Sequence, residues 1–262
     1  MSERIHTTAA AGFARAGADY ERGRPGYPPA AVSHLARSVG VEPGARVLDL
    51  AAGTGKLTRA LANSGAELIA VEPVAEMREQ FERSLPGVRV LVGTAEHIPL
   101  PDSELDAVVV AQAFHWFDAR AAAAEIHRVL RPGGGLGVIW NAWDESKVPW
   151  VARVQALVHE HIGSAPQHAT SHWPQELEAT GLFTPLHQET FAHVVTGDLD
   201  NLLARVASVS YISALPDNSR AQVLDSIAEI VAHDPETAGR DQIAMPYTTH
   251  VVACHRLAQR RL

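Results

Sequence analysis

The stretch that most constrains this chain runs from Ala45 to Thr58 (Ala-Arg-Val-Leu-Asp-Leu-Ala-Ala-Gly-Thr-Gly-Lys-Leu-Thr). Arg46 to Leu50 has the apolar, β-branched make-up of a short buried strand. Ala51 to Gly55 is a turn of small residues. From Leu57 onward, Leu57, Ala60 and Leu61 recur at helical spacing. A strand that breaks at glycines and re-enters as a helix exposes bare backbone to a ligand. It also leaves unpaired amides at the start of the helix, which favour an anion.

Several nucleotide-binding folds use such a turn, and the side chains decide between them. A phosphate-cradling loop needs a glycine five residues before Gly55 and Ser or Thr after Lys56; those positions hold Leu50 and Leu57. A dinucleotide fingerprint needs a third glycine where Thr58 stands. What remains is strand, Asp49, two small residues, Gly53, one residue, Gly55. A plain strand-to-helix turn of another α/β protein is the bland alternative.

The flanking sequence repeats the alternation. Ala30 to Val39 carries a helical stripe (Val32, Leu35, Ala36, Val39) closed by Gly40. Glu67 to Glu72 predicts a second strand, with Glu72 about 20 residues past the glycine turn, where a carboxylate meets a ribose in nucleotide-binding α/β folds. Pro73 and Val74 open a helix that turns Met77 and Phe81 inward. Val88 to Val92 predicts a third strand and Leu105 to Val110 a strongly apolar fourth. Phe114 to Leu130 reads as mostly helical, Arg131 to Gly135 as a sharp turn, and Leu136 to Trp140 as a fifth strand. Strands alternating with helices specify a parallel sheet covered on both faces.

The second half is less regular. Helices are expected over Val148 to His161 and Trp173 to Thr180, and a long strand over Phe183 to Val195. Two more helices (Asp198 to Tyr211, Asp217 to Val231) precede a final strand, Ile243 to His255. Strand, two helices, strand predicts that the last two strands pair antiparallel at the sheet edge, with about 197–240 inserted between them as a helical cap.

Composition narrows the partners. A formal net charge of -8 over 262 residues, with no Lys/Arg run, disfavours nucleic acid and anionic membranes. There is no apolar run long enough for a bilayer, and Met1 to Thr8 lacks the apolar block of a secretion signal. Cys254 is the single cysteine, so no internal disulfide forms and a cytoplasmic setting is expected. No Cys/His cluster has zinc spacing, and His159 and His161, two apart on a helix, do not share a face. His168 and His172 have an i, i+4 interval, but Pro166 and the loop composition undercut a helical pair. No metal site is expected.

Further stretches carry a resemblance. These are Tyr20…Arg24-Pro25-Gly26-Tyr27-Pro28, Ala95-Glu96…Pro99, Gln112-Ala113-Phe114-His115-Trp116-Phe117, Leu130-Arg131-Pro132-Gly133-Gly134 and Trp140-Asn141. With the glycine turn, over roughly the first 145 residues, they resemble the class I S-adenosylmethionine (SAM)-dependent methyltransferases, in the small-molecule branch called type 11. Pro246-Tyr247-Thr248 resembles the same branch more loosely. The implied fold is an α/β, Rossmann-like, seven-stranded and mostly parallel sheet with an antiparallel edge strand and a helical cap insertion. It would form a single domain over 1–262, with an N-terminal lid at 1–40 and a SAM-binding core at 41–145.

The resemblance also implies roles. The backbone at Ala51, Gly53 and Gly55 lies along the methionine part of SAM, and Asp49 holds that loop or a water. Glu72 takes the ribose hydroxyls, Pro73 and Met77 border the adenine, and Ala95 and Glu96 sit at its edge. Many relatives have Asp where this chain has Thr94, which passes the adenine amine to Glu96 or to backbone. Gln112 lies near the methionine end. Arg24 pairs with the SAM carboxylate, and Tyr20 closes over the sulfonium. His115 is either a general base or, with Trp116, packing near SAM. Trp140, Asn141, Trp143 and Trp150 are candidates for an aromatic acceptor pocket, or ordinary core anchors. The cofactor is SAM, left as S-adenosylhomocysteine (SAH), and the partner is a small-molecule methyl acceptor. A carboxylate acceptor needs no base, whereas a phenol or amine acceptor calls for one. Two other functions stay open: an NAD(P)-dependent oxidoreductase, which lacks a Tyr followed four residues later by Lys, and a non-catalytic SAM-binding module.

Overall fold

In the computed structural model, residues 23–163 and 171–258 are described. The first strand, β1, covers Arg46–Leu50 and pairs in parallel with β2 (Glu67–Val71) and β4 (Leu105–Ala111). Strand β3 (Arg89–Leu91) adds to β2, and β5 (Leu130–Trp143) to β4, both in parallel. The late strands β6 (His187–Gly197) and β7 (Ile243–His255) pair antiparallel, and β7 runs against β5. The order is β3-β2-β1-β4-β5-β7-β6. The sequence expectation of a seven-stranded, mostly parallel sheet with antiparallel pairing at one edge is met.

Period-two alternation assigns each strand residue to a layer. Leu48, Leu50, Val108 and Val110 face Ala122, Ala123 and Ile126 of helix α4 (Ala119–Val129). Val47, Ala107 and Val109 face the opposite layer, made by α1 (Pro29–Val39) and α2 (Lys56–Leu61) through Leu35, Val39, Leu57 and Leu61. Gly135 lets α1 lie directly on β5, since a Cβ there would stand 2.6 Å from the Val39 backbone. Helix α3 (Ala75–Ser84) buries Met77 and Phe81, as their spacing predicted.

A third apolar cluster joins α5 (Pro149–His159) to the helices between β6 and β7: α7 (Leu199–Ala207), α8 (Ser210–Ser213) and α9 (Asp217–His233). Trp150, Val154, Leu202, Val206 and Ile227 pack there with Tyr247 at the near end of β7. This is the helical cap. Helix α6 (Trp173–Ala179) packs on α4 instead.

The strand expected over Phe183 to Val195 begins only at His187 and runs to Gly197, and three further local expectations change. Phe114 to Leu130 is two elements, a 3-10 turn at Phe114–Trp116 and α4, because the Asp118 carboxylate caps α4 by accepting from the amides of Arg120 and Ala121. Asp198 to Tyr211 breaks after Ala207 into α7 and α8. Strand β5 neither starts at Leu136 nor stops at Trp140. Leu130 already pairs with Leu105, the glycine-rich residues bulge out before Gly135 meets Ala107, and β7 then holds the strand to Trp143 opposite Tyr247.

The chain steps from β1 outward to β2 and β3, then returns across β1 to β4 and β5. The carboxyl ends of β1 and β4 therefore diverge into a crevice, the place where open α/β sheets bind ligands.

Candidate active site

Two strained residues flank that crevice. Ala51, just past β1, has φ 57°, and Gln112, just past β4, has φ 58°. Left-handed backbone costs an L-residue about 1–2 kcal/mol, and such outliers gather where a ligand site dictates the backbone. Both are tied down. The Ala52 amide donates to Val71 O at 3.1 Å and the Gln112 amide to Ile139 O at 2.9 Å. Gly53 (φ 57°) and Gly55 (φ 83°) complete the turn. At Gly55 a second constraint acts, because a Cβ would meet the Leu85 side chain at 2.6 Å and the Phe81 ring at 2.8 Å.

Two buried carboxylates brace the turn from below. Asp49 is 2% exposed; its Oδ2 accepts from Thr58 Oγ1 at 2.5 Å, while Oδ1 is enclosed without a partner. Burial pushes its pKa up to about 7, against the Thr58 hydrogen bonds. Glu72 leaves the end of β2 and reaches across: Oε2 accepts from the Gly53 amide at 2.9 Å and Oε1 from the Val74 amide at 2.8 Å. Burial raises the Glu72 pKa, while those two bonds and Arg78 pull it down. Each carboxylate oxygen offers about two lone pairs, so both keep an acceptor position for a ligand hydroxyl. The guanidinium of Arg78 donates to the carbonyls of Glu72 and Pro73 and holds the corner.

A cavity of about 460 Å³, counted out to its open mouth, extends from the turn toward β5. Ala51, Ala52, Thr54, Lys56 and Leu57 form its β1 wall, Ala111 and Gln112 its floor, and Asn141 and Tyr247 the far wall. Asn141 is a junction. Its Nδ2 donates to Gly26 O at 3.0 Å, its Oδ1 accepts from Thr249 Oγ1 at 2.6 Å, and its carbonyl accepts from Gln112 Nε2 at 3.2 Å. The strap of residues 23–28 thus closes one side and presents Arg24, Pro25 and Tyr27 to the cavity. Arg24 continues to the cap, where its Nε donates to Ser208 Oγ at 3.0 Å and its Nη2 to Ser208 O at 3.2 Å.

The structure brings Arg24, Ala51, Gln112 and Asn141 to this one cavity, with Asp49, Gly53 and Glu72 directly behind it. Met77 and Ala95 are buried in the layers beside it. Glu96 is on the surface, where its carboxylate accepts from the Asp118 amide at 3.0 Å and tethers the start of α4. His115 and Trp116, ring to ring at 5.1 Å, sit in the 3-10 turn and are not among the cavity's described lining residues. Because β5 runs through Trp143, Trp140 and Asn141 point to opposite faces. Trp140 stacks on His250 at 4.8 Å and meets Trp173 edge-on, in the α4 layer. Trp143 stays on the Asn141 side, and Trp150 is a core anchor under the cap. Tyr20 and His168 lie outside the described residues.

Sequence reasoning missed Arg205, the residue of α7 that enters the cavity, with its guanidinium 5.2 Å from the centre of the Trp143 ring. A basic residue in a last helical turn suits the helix dipole, so its sequence position carried no signal. Tyr247, 1% exposed, was visible only through the Pro246-Tyr247-Thr248 resemblance. Among the described residues no group of His, Cys, Asp and Glu is placed to hold a metal, and no helix is long and apolar enough to cross a membrane.

Residues 48–138 match the model of a methyltransferase domain. The chain is 39% identical over 239 residues to an uncharacterized methyltransferase of Mycobacterium tuberculosis, covering 90% of this chain and 92% of that one. It is 36% identical over 227 residues to an uncharacterized methyltransferase of Schizosaccharomyces pombe, covering 86% and 89%. Among solved structures it resembles one from Anaeromyxobacter dehalogenans described as a type II methyltransferase (24% identity, TM-score 0.68, 89% of this chain and 97% of that chain). It also resembles a phosphoethanolamine N-methyltransferase of Haemonchus contortus in complex with phosphomonomethylethanolamine and SAH (14% identity, TM-score 0.57, 94% and 58%). The two structural likenesses establish the fold.

Proposed function

The chain belongs to the methyltransferase family, and from that premise we propose that it transfers the methyl group of SAM to a small-molecule acceptor by in-line displacement. The observation that carries this is the clasp between Glu72 and the Gly53 amide, at the β2 side of the turn that walls the cavity. It sets a carboxylate with acceptor positions to spare beside a turn of bare backbone, the pairing that a nucleoside with an amino-acid tail requires. The SAH held by the Haemonchus neighbour on the same fold supports the choice of donor.

SAM, once bound, supplies a methyl group already activated by the sulfonium; the S–CH3 bonding pair returns to sulfur as the acceptor's lone pair forms the new bond. The protein's part is placement. Glu72 receives the ribose hydroxyls, and the Ala51–Gly55 backbone runs beside the amino-acid tail. Arg24, held by Ser208, meets the tail carboxylate. Gln112, anchored to the Asn141 carbonyl, faces the methyl end. Alignment of this kind accounts for about 7–11 kcal/mol of a barrier. The strap and cap exclude water, which competes for the methyl group.

No carboxylate or imidazole is among the cavity's described lining residues. The reading therefore assigns no general base, and His115 packs rather than moves a proton. An acceptor that reacts as an anion needs none. A small acceptor suits a cavity of this size in an acidic chain, and the buried Cys254 thiol suits the cytoplasm. Titration calorimetry with SAH tests the donor site: micromolar binding is expected, and none at millimolar ligand rejects it. NADH titration by fluorescence separates the oxidoreductase alternative, and SAH release with an acceptor panel separates a non-catalytic module.

A further inference from the structure

We propose that Arg205 anchors a carboxylate of the methyl acceptor, so that the acceptor is a small organic acid. This rests on the methyltransferase reading and names its substrate class.

Among the described residues, the guanidinium is held in place without being neutralised. Its carbon lies over the Trp143 ring, 5.2 Å from the ring centre and within cation–π range. That contact uses none of the hydrogen-bonding capacity of the N–H groups. Nε and Nη1 are enclosed, and among the described residues they find no hydrogen-bond partner and Arg205 no ion pair. An enclosed donor left unpaired is unfavourable. Such a group is tolerated where something else completes it.

The surroundings favour an anion. Arg24, Lys56 and Arg205 all line the cavity, with no carboxylate among its described lining residues, in a chain whose formal net charge is -8; the donor's tail carboxylate takes Arg24, and Arg205 is left for a second anion. The Tyr211 hydroxyl registers the same field: burial raises its pKa, while the charges of Arg205 and Arg24 pull it back. A planar guanidinium matches a carboxylate in shape as well as charge.

The anion belongs to the acceptor because of where Arg205 stands. The donor turn follows β1, and Glu72 lies farther out on β2. Arg205 covers Trp143 at the end of β5, on the other side of β4. Neighbouring strands lie about 4.8 Å apart, which separates the two ends by roughly 10 Å. Gln112, where the transferable methyl is expected, lies between them. The helix that carries Arg205 is also held by the strap: Gly23 packs on the Ala204–Arg205 backbone with no room for a Cβ.

The test uses the full chain saturated with SAH. Aliphatic and aromatic carboxylic acids, their primary amides and the matching phosphate monoesters are screened at millimolar concentration by thermal shift, then by calorimetry. Acids that bind are tested for turnover with SAM. At least one acid is expected to bind where its amide does not. Arg205→Met, which keeps an unbranched stem over Trp143, is expected to weaken that acid about 100-fold, to change SAH affinity by less than about twofold, and to be partly rescued by Arg205→Lys. An SAH affinity lowered about tenfold in Arg205→Met would assign the guanidinium to the donor's own carboxylate and overturn the proposal. Equal binding of acid and amide, stronger binding of phosphate monoesters, or no acid bound to a complex that does hold SAH would each overturn it too. If SAH itself fails to bind wild type, the donor reading falls first and this proposal with it.

Discussion

The two ends of the crevice are built on opposite electrostatic plans. At the β1–β2 end two acidic side chains are buried and braced: Glu72 is clasped by two backbone amides and Asp49 by Thr58. At the β5–β7 end they are guanidiniums facing a cavity, and Arg205 has no protein counter-ion among the described residues. A site whose charges are engaged by its own backbone is part of the fold. A site with unpaired donors is completed by what it binds. Substitutions at the first end should therefore register in stability as well as binding, and those at the second chiefly in the ligand.

Asp49 offers the largest expected effect. Its folded pKa of about 7 stands above the ordinary 3.8, so the folded chain holds a proton that the unfolded chain has lost across that window. The resulting stability is fully present below about pH 4 and is lost as pH rises through about 7, an upper bound of about 4 kcal/mol. Urea unfolding between about pH 4 and pH 8 should show that decline, and Asp49→Asn should flatten it. An identical slope in the variant would mean that Asp49 is not the proton holder.

Gly55→Ala follows, with a loss near 3 kcal/mol in the same assay, from left-handed backbone strain plus contact with Leu85 and Phe81. If folded Gly55→Ala binds SAH normally, Gly55 serves packing rather than ligand contact. Glu72→Gln should weaken SAH about 30-fold, or about 2 kcal/mol, by calorimetry, since a charged acceptor is replaced while the side-chain volume is kept. Little change there would break the comparison at its strongest point. Arg24→Ala is expected to weaken SAH about fivefold, near 1 kcal/mol, because the strap loses its tie to Ser208 and the tail carboxylate a partner.

The legible parts of the molecule follow from periodicity and local stereochemistry. Strand β1, the turn after it, the inward pair Met77 and Phe81, and the span of β7 could each be read from neighbouring residues. The largest errors came where a distant partner intervened. The length of β5 depends on β7, more than 100 residues later in the chain, and that extension separates Trp140 from Asn141. Trp140, Asn141 and Trp143, which looked like one pocket wall, became two faces of a sheet. Asp118 cut the expected helix at Phe114 because a capping carboxylate outweighs the apolar run before it.

By itself the sequence determined the order of strands and helices, the glycine turn and the carboxylate beyond β2, because these depend on backbone sterics and hydrophobic period within a few residues. Only the tertiary structure decided that Arg205, from a helix that looks ordinary in isolation, would stand over Trp143 across the crevice from that turn. Such a meeting depends on the packing of the cap against β7 and on the strap against α7, contacts between segments as much as 184 residues apart.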